Sequence, residues 1–161
     1  MTKINHLEVK TLDKIDRRIL RELQHNARIA NTELARRVGL SPTPCAERVK
    51  SMEKRGCIQQ YITRINPREL RLELLVFVEI TLLRTAPDVF EEFSKAVIGL
   101  PQVLECHLVS GQFDYLIKAR VADMSAYRKL LGETLLTLPG VSDSRTYVVM
   151  EEVKEEHTLP I

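Results

Sequence analysis

The 161-residue sequence lacks the features of membrane, secreted and metal-binding proteins. Its apolar runs are short, residues 74–78 being among the longest, whereas a membrane-spanning helix needs roughly 20 residues. The first ten residues have no apolar core of a secretory signal. Three cysteines, Cys45, Cys57 and Cys106, are odd in number and stand in no CxxC or Cys/His spacing. We therefore expect a protein of the reducing cytoplasm, without a metal site or a membrane partner.

Catalytic signatures are missing as well. The four histidines are dispersed, and no Ser/His/Asp or Cys/His constellation is visible. The sequence also contains no glycine-rich loop of the kind that cradles phosphate groups. We predict no catalytic residues and a function other than that of an enzyme.

Charge, by contrast, is abundant and unevenly distributed. Residues 1–66 carry 14 Lys and Arg against 7 Asp and Glu, a net charge of +7. The remaining residues carry 10 bases against 15 acids, a net charge of −5. A basic segment joined to an acidic one predicts a nucleic-acid surface on the N-terminal part only.

Residues 32–56, TELARRVGLSPTPCAERVKSMEKRG, have the pattern of two short helices joined by a tight turn. Asn31 can cap the first helix, and Gly39 can turn the chain with a positive φ angle. Ser41 can cap the second helix, with Pro42 at its first position and Gly56 at its end. This punctuation predicts a helix-turn-helix, whose second helix normally lies in the major groove of double-stranded DNA.

The surrounding residues extend this motif into a domain. Residues 1–11 form a polar arm, and an amphipathic helix is predicted to begin at Asp13 and to end near His25. Residues 58–65 are rich in β-branched side chains and are predicted to form a short hairpin wing. We therefore predict a winged helix-turn-helix domain over residues 12–66.

The rest of the chain alternates strands and helices. After a charged hinge at residues 67–74, strands are predicted at 75–83, 103–109, 115–121 and 141–153. Helices are predicted at 88–98 and from Asp123 or Ser125 onward. The β-α-β-β-α-β order over residues 75–155 is ferredoxin-like, followed by a C-terminal tail at 156–161. The predicted fold class is α+β.

Apolar residues occupy both faces of these strands, for example in the runs at 76–78 and 147–150. Such strands are typically buried on both sides, although helices would cover only one face of this sheet. The uncovered face is therefore predicted to meet another subunit in a homodimer, which would place two reading helices on two DNA half-sites.

The outward face of the second helix of the pair gives the candidate DNA contacts. Arg48 could donate to guanine, Glu47 could accept from cytosine, and Thr43 or Pro44 could touch a thymine methyl group. Ser41 could bind a phosphate at the helix start. The remaining Lys and Arg side chains would also contact phosphates. The full predicted set is Arg28, Arg36, Arg37, Ser41, Thr43, Pro44, Glu47, Arg48, Lys50, Ser51 and Lys54.

The chain resembles the Lrp/AsnC family of bacterial transcription regulators, also called feast/famine regulators. The resemblance lies in residues 12–61, 74–82, 105–141 and 144–154, which include TELARRVGLSPTPCAERVK and VSGQFDYLIKARV. It implies a DNA-binding domain joined to an amino-acid-sensing and oligomerisation domain. It further implies homodimers that assemble into tetramers, octamers or larger rings on the DNA of the nucleoid.

The resemblance also implies an effector site around the turn at residues 111–115. A glycine turn exposes backbone N–H groups for a carboxylate, and Asp114 offers an acceptor for an ammonium group. The effector-binding residues implied are Leu108, Gly111, Asp114, Met124, Tyr147, Val148 and Val149. Leucine is the first expectation, followed by alanine, methionine and the other branched-chain amino acids, and no other cofactor is expected. Gln112 departs from the acidic residue of close relatives, which bears on the identity of the effector.

Two other functions remain open at this point. A sequence-tolerant architectural protein would compact DNA without any effector, and its binding would follow salt rather than sequence. An amino-acid-binding regulatory subunit of an enzyme could use the same β-α-β-β-α-β domain, but the basic helix-turn-helix argues against it.

Overall fold

The computed structural model describes residues 11–83 and 87–161. The chain divides into two compact units. The first, the helical unit, comprises the chain up to Arg64 together with Glu155–Ile161, and the second, the sheet unit, comprises Ile65–Lys154. The predicted N-terminal arm lies outside the described residues except for its last position. No helix of the described ranges is both long enough and apolar enough to span a lipid bilayer.

The helical unit contains three helices, α1 (Lys14–His25), α2 (Asn31–Val38) and α3 (Pro42–Lys54). A capping box starts α1, because the Asp16 N–H donates to Asp13 Oδ1 at 2.7 Å and the Asp13 N–H donates back to Asp16 Oδ2. The three helices bury a small common core, which consists of Ile19, Leu34, Ala35, Val38, Cys45 and Met52. The predicted helix-turn-helix and the helix that precedes it are present.

The turn between α2 and α3 depends on Gly39, which has a φ of 76° in the left-handed region. The two predicted side-chain caps are wrong. Asn31 is the first residue of α2 and donates through Nδ2 to the Pro42 carbonyl at 2.8 Å, and the Ser41 side chain makes no capping bond. The Asn31 amide thus ties the two helix starts together, which local sequence spacing could not reveal.

The predicted hairpin wing at residues 58–65 is also absent, because this described segment contains no strand. Tyr61, Ile62 and Ile65 are exposed, so the segment has no buried face to fix a register. The segment contains no Gly, Pro, Asn or Asp to make a tight turn. An isolated two-stranded hairpin is marginally stable at best, and nothing in this segment compensates for that.

The sheet unit contains β1 (Leu74–Leu82), α4 (Pro87–Ile98), β2 (Val103–Leu108), β3 (Tyr115–Val121), α5 (Met124–Glu133) and β4 (Val141–Val148). The strands form one antiparallel sheet in the order β2-β3-β1-β4. This is the predicted ferredoxin-like arrangement. The predicted hinge differs from the structure, since Pro67–Leu70 is a short 3-10 helix inside the sheet unit.

One face of the sheet packs against α4 and α5. Val76, Val78 and Ile80 of β1 are fully buried there, and Phe93 of α4 stacks on Tyr115 with ring centroids 4.4 Å apart. The Tyr127 hydroxyl of α5 is hydrogen-bonded to Thr146 of β4. These contacts fix the strand register, and among the described residues of the sheet unit no helix packs on the opposite face.

The opposite face, which we call the open face, carries alternating residues of the strands. Phe77 lies across from Tyr147, and Glu79 accepts a hydrogen bond from the Tyr147 hydroxyl at 3.0 Å. Strand β4 ends at Val148 rather than at residue 153, and both Tyr147 and Val148 are exposed. The prediction that another subunit covers these residues stays a prediction, and their exposure in the single chain is compatible with it.

Gly140→Ala should destabilise the sheet unit. Gly140 has a φ of 76°, and an added Cβ would collide with Cγ1 of Val89. A left-handed alanine together with overpacking should cost roughly 2–4 kcal/mol of unfolding free energy, to be measured by urea denaturation.

Gly132→Ala is the matched control for this substitution. Gly132 lies in α5 with open space around its Cα, so alanine there should stabilise the helix by roughly 0.5–1 kcal/mol. Equal effects of the two substitutions would contradict the packing described at Gly140.

Candidate nucleic-acid interface and effector site

Arg48 of α3 is bound to the start of α1. Its Nη1 lies 2.6 Å from Asp13 Oδ2 and 2.8 Å from Asp16 Oδ1. The Asp16 backbone N–H and the Arg48 guanidinium together lower the pKa of Asp13, and the two carboxylates raise the pKa of Arg48. Arg55 adds a longer contact of 3.8 Å to the buried Asp16. We call this group the Arg48 clamp.

The clamp changes the interpretation of Arg48, which the sequence placed outward as a reader of guanine. A guanidinium that is held by two carboxylates on a neighbouring helix cannot reach a base edge without breaking both charge-assisted bonds. The geometry gives Arg48 a positioning role, in which it fixes α3 against α1.

Arg36 and Arg37 share a carboxylate. Glu33 accepts from Arg36 Nη2 at 2.7 Å and from Arg37 Nε at 2.8 Å, and Arg37 also bonds Glu22 at 2.9 Å. These guanidinium bonds lower the pKa of Glu33 to about 2. Both arginines remain substantially exposed, so they can reach a phosphate only in competition with Glu33.

The outer face of α3 is open. Thr43, Glu47 and Lys50 are exposed at positions i, i+4 and i+7, which places them along one side of the helix. They border a shallow groove of about 340 Å³ together with Asn31, Pro42 and Ala46. This side can face a DNA groove without rearrangement of the helices.

The other predicted DNA contacts differ in exposure. Arg28, Ser41, Ser51 and Lys54 are exposed, whereas Pro44 is half-buried. The groove at α3 brings together Thr43, Glu47 and Lys50 of the predicted set, whereas the Arg48 guanidinium is paired with Asp13 and Asp16; the DNA contacts themselves stay a prediction.

The seven predicted effector residues fall into two separate groups. Leu108, Gly111 and Asp114 lie at the β2–β3 turn, where Leu108 pairs with Tyr115 and Tyr115 pairs with Ile80 of β1. At the other end of β1, Tyr147, Val148 and Val149 lie beside its first residues, and Met124 follows the adjacent end of β3.

The distance between the two groups follows from the sheet. Strands β2 and β4 are opposite edges, three strand spacings or about 14 Å apart, with a further offset of about 10 Å along β1. A free amino acid is too small to touch both groups at once. The seven residues therefore do not line one pocket in a single chain.

Asp114 is partly engaged within its own chain. Its Oδ2 accepts from the Leu82 N–H at 2.8 Å, and its backbone N–H donates to the Ile80 carbonyl at 2.9 Å. These bonds anchor the turn to β1 and hold the carboxylate in a fixed, half-buried position. An ionised carboxylate has about four lone-pair sites, so it can still accept bonds from an ammonium group.

Large apolar side chains are exposed in both groups. Leu108 is 61% exposed, Met124 49% and Tyr147 45%. These side chains are available for contact with another molecule. Across the described residues, no group of three His, Cys, Asp or Glu side chains could hold a metal ion.

Sequence reasoning missed the acidic partners of these sites. The Asp13–Asp16 spacing is that of a capping box and could have been recognised locally. Glu33 precedes Arg36 and Arg37 at helical ion-pair spacing, which is also a readable signal. The contact of Asp13 and Asp16 with Arg48, more than thirty residues away, has no local signal.

The fold and these surfaces define a class of protein. A helix-turn-helix unit with an open reading face is joined to a β-α-β-β-α-β unit that exposes apolar side chains, as expected of a DNA-binding regulator with a ligand-binding domain. Residues 75–159 match the Lrp/AsnC ligand-binding domain, and residues 12–59 match a winged helix-turn-helix DNA-binding domain. The chain belongs to the Lrp/AsnC family of transcription regulators.

Its similarity to characterised relatives extends over almost the whole chain. The leucine-responsive regulatory proteins of Klebsiella pneumoniae and Escherichia coli K12 are each 66% identical to it over 152 residues, which cover 94% of this chain and 93% of theirs. A transcriptional regulator of Neisseria meningitidis, solved as its L-methionine complex, superimposes with a TM-score of 0.89 at 40% identity, covering 93% of this chain and 97% of that one.

A further similar structure is the feast or famine regulatory protein of M. tuberculosis complexed with L-methionine. It has a TM-score of 0.84 at 32% identity, covering 92% of this chain and 99% of that one. The predicted family, the α+β fold class and the function as a DNA-binding regulator rather than an enzyme are confirmed by these relationships.

Glu33→Gln should strengthen electrostatic binding of DNA. Loss of the carboxylate frees the guanidinium group of Arg36 for a phosphate, while Arg37 keeps its ion pair with Glu22. One additional phosphate contact should steepen the dependence of log affinity on log salt by about 0.9, to be measured by DNA titration at several salt concentrations.

Glu69→Gln removes the same charge from the sheet unit and should leave the salt slope unchanged.

The Glu33 substitution should also alter the stability of the protein at acidic pH. A lowered carboxyl pKa contributes stability above its ordinary value of 4.5, and this contribution is lost as pH falls toward about 2. Glu33→Gln should therefore flatten the stability curve within that pH window, and an unaltered curve and salt slope would contradict the shared-carboxylate arrangement.

Proposed function

We propose that the protein is a sequence-specific transcription regulator that reads DNA with Thr43, Glu47 and Lys50 and responds to a small apolar amino acid. The observation that carries the DNA-reading part is the Arg48 clamp. In this clamp Asp13 and Asp16 bind Arg48, which is the one arginine of α3, and the side of the helix with Thr43, Glu47 and Lys50 stays exposed.

The three residues have complementary chemistry toward base edges. Lys50 can donate to the O6 and N7 atoms of guanine, Glu47 can accept from the N4 amino group of cytosine, and the Thr43 methyl group can contact thymine. The surrounding phosphate contacts would come from Arg28, Ser41, Ser51 and Lys54, with Arg36 and Arg37 available once they leave Glu33. Phosphate contacts set the register on DNA without selecting its sequence.

Glu47→Ala should relax the preference for one base pair. The loss of a specific base contact should reduce discrimination at that position by about 1–3 kcal/mol. Selection of binding sites from a randomised DNA library by the wild-type and variant proteins measures this change directly.

Arg48→Ala is the informative comparison. It should lower the unfolding midpoint of the helical unit, since Asp13 and Asp16 lose their shared cation, yet it should keep the wild-type ranking of DNA sequences. If Arg48→Ala lost the preference among DNA sequences and Glu47→Ala kept it, Arg48 and not Glu47 would be the residue that reads a base. Binding that tracks salt but not sequence in the unaltered protein would instead indicate an architectural function.

The proposed effector site uses the turn at Gly111 and Asp114 of one subunit and is completed by a second subunit. The separation of the two residue groups supports this arrangement, because a single chain cannot enclose a small ligand with both. The exposed apolar side chains of Leu108, Met124 and Tyr147 would supply an apolar lining after assembly.

Leucine is our first expectation for the effector, and methionine is the second. The leucine-responsive names of relatives at 66% identity support leucine, and the L-methionine complexes of two similar structures support methionine. The open face of the sheet is the proposed homodimer contact, with further assembly to tetramers, octamers or larger rings. We place the protein on cytoplasmic, nucleoid DNA, where it would control genes of amino-acid metabolism.

A ligand at a subunit interface can control DNA binding through assembly. The ligand favours whichever oligomer it binds more tightly, and the shift in free energy equals the difference between its affinities for the two states. Different oligomers present different numbers of reading helices to DNA. The response to effector would therefore be a change of occupancy or of oligomer size.

Asp114→Asn should abolish amino-acid binding and preserve basal DNA binding. The asparagine oxygen can still accept from the Leu82 N–H, so the turn is retained, but the negative charge that would pair with the ligand's ammonium group is lost. Isothermal titration with leucine and methionine, together with DNA titration with and without each amino acid, measures both effects.

A wild-type heat of binding and a full effector response in Asp114→Asn would rule out this carboxylate as the ammonium partner. Loss of basal DNA binding in the same variant would show instead that Asp114 acts on the fold and not on the ligand.

A further inference from the structure

Residues 155–161, which we call the strap, follow the sheet unit in sequence but pack with the helical unit. Gln24 of α1 makes a reciprocal pair of hydrogen bonds with Leu159, in which Nε2 donates to the Leu159 carbonyl at 3.1 Å and Oε1 accepts from the Leu159 N–H at 2.7 Å. Arg21 of α1 donates through Nε to the Ile161 main-chain oxygen at 3.0 Å. The Arg64 guanidinium also donates to the Glu155 carbonyl at 3.1 Å.

These bonds involve the main chain of the strap. The Leu159 side chain is 71% exposed, so its burial contributes little to the contact. The Gln24 amide satisfies both backbone groups of Leu159, as a neighbouring β-strand would. The strap borders a groove of about 560 Å³ whose other walls include Leu20 and Leu23 of α1 and Ile58.

Helix α1 connects this contact to the DNA-reading helix. Gln24 and Arg21 lie toward the end of α1, and Asp13 and Asp16 at its start hold Arg48 of α3. Between them Ile19 is fully buried in the core that α1, α2 and α3 share. A shift of α1 therefore changes the position of α3.

The residues that lead into the strap are anchored in the sheet unit. Both Nη2 bonds of Arg120 go to the carboxylate of Glu152, at 2.8 and 2.7 Å, and Arg120 Nη1 donates to the Leu72 carbonyl at 3.3 Å. Arg120 is only 8% exposed, whereas the Glu152 side chain is 35% exposed, so the ion pair is buried on the arginine side and open to solvent on the carboxylate side. Only two residues separate Glu152 from the strap.

We propose that the strap is the connection through which the effector domain acts on α1, and that Gln24 and Arg21 are positioning residues for DNA binding. This inference rests on the proposed function. Anchors lie on both sides of a short connection, so displacement of residues 149–152 during assembly or ligand binding cannot be absorbed by a slack linker. The displacement is transmitted to α1 and, through the Arg48 clamp, to the reading face.

The test uses the full chain with Gln24→Ala and, as a second variant, Arg21→Ala. Arg17→Ala is the charge-matched control, since Arg17 is exposed on the same helix and its side chain makes no hydrogen bond or ion pair with the described residues. Amide hydrogen exchange at Leu159 and DNA affinity with and without leucine or methionine are measured for each variant.

We expect exchange at Leu159 to accelerate about tenfold in Gln24→Ala, as the loss of its hydrogen-bond acceptor predicts. The change in DNA affinity on adding the amino acid should be lost in both test variants and retained in Arg17→Ala. If Gln24→Ala does not fold, Arg21→Ala still tests the coupling through the amino-acid response, because its side chain is exposed and bonds the strap at Ile161.

Unchanged exchange at Leu159 in Gln24→Ala would overturn the contact between the strap and α1. Accelerated exchange with an intact amino-acid response would overturn its role in coupling. The exchange measurement needs no DNA, so a failure of the unaltered protein to bind specific DNA would count against the proposed function and would leave the result for the strap readable.

Discussion

The position of the reading helix depends on one guanidinium between two carboxylates. Arg48 joins α3 to the first turn of α1, where Asp13 and Asp16 are already fixed by their capping box. Charge-assisted bonds of this kind are stronger than neutral hydrogen bonds and hold a fixed geometry. The core of this unit is small, so such a contact contributes more to the orientation of its helices than it would in a larger domain. Because Arg48 is bound to Asp13 and Asp16, the side of α3 that remains available to a base edge is the one with Thr43, Glu47 and Lys50.

In the sheet unit, the surfaces that matter for function are those on which apolar side chains remain exposed. Its helices cover one face of the sheet, while Leu108, Met124 and Tyr147 remain exposed at separated positions. Each group alone is too small to enclose an amino acid. The two-chain site that we propose would make ligand binding and assembly the same event, which is the simplest physical route from a small ligand to a change in DNA occupancy.

The sequence predicted the helices and the strands of the sheet, and the exposure of Thr43, Glu47 and Lys50 on α3, because these follow from helical and alternating periodicity. The hairpin at residues 58–65 was predicted from β-branched composition alone and is absent, since a strand needs a partner that composition does not supply. Arg48 was assigned outward from helical spacing, but its partners lie on another helix and carry no local signal. The effector residues came from the family resemblance, and their separation in one chain required the strand register to be known.

The internal carboxylates also bear on how easily the regulator can be switched. Glu33 competes with phosphate for Arg36 and Arg37, and thereby limits the sequence-independent part of DNA affinity. Allosteric coupling is typically worth only about 1–3 kcal/mol, so an effector can change the occupancy of a promoter only if the protein is not already bound far above its threshold. We expect the pairing of Glu33 with Arg36 and Arg37 to lower the sequence-independent part of the affinity, which would leave the specific contacts of α3 a larger share of the total.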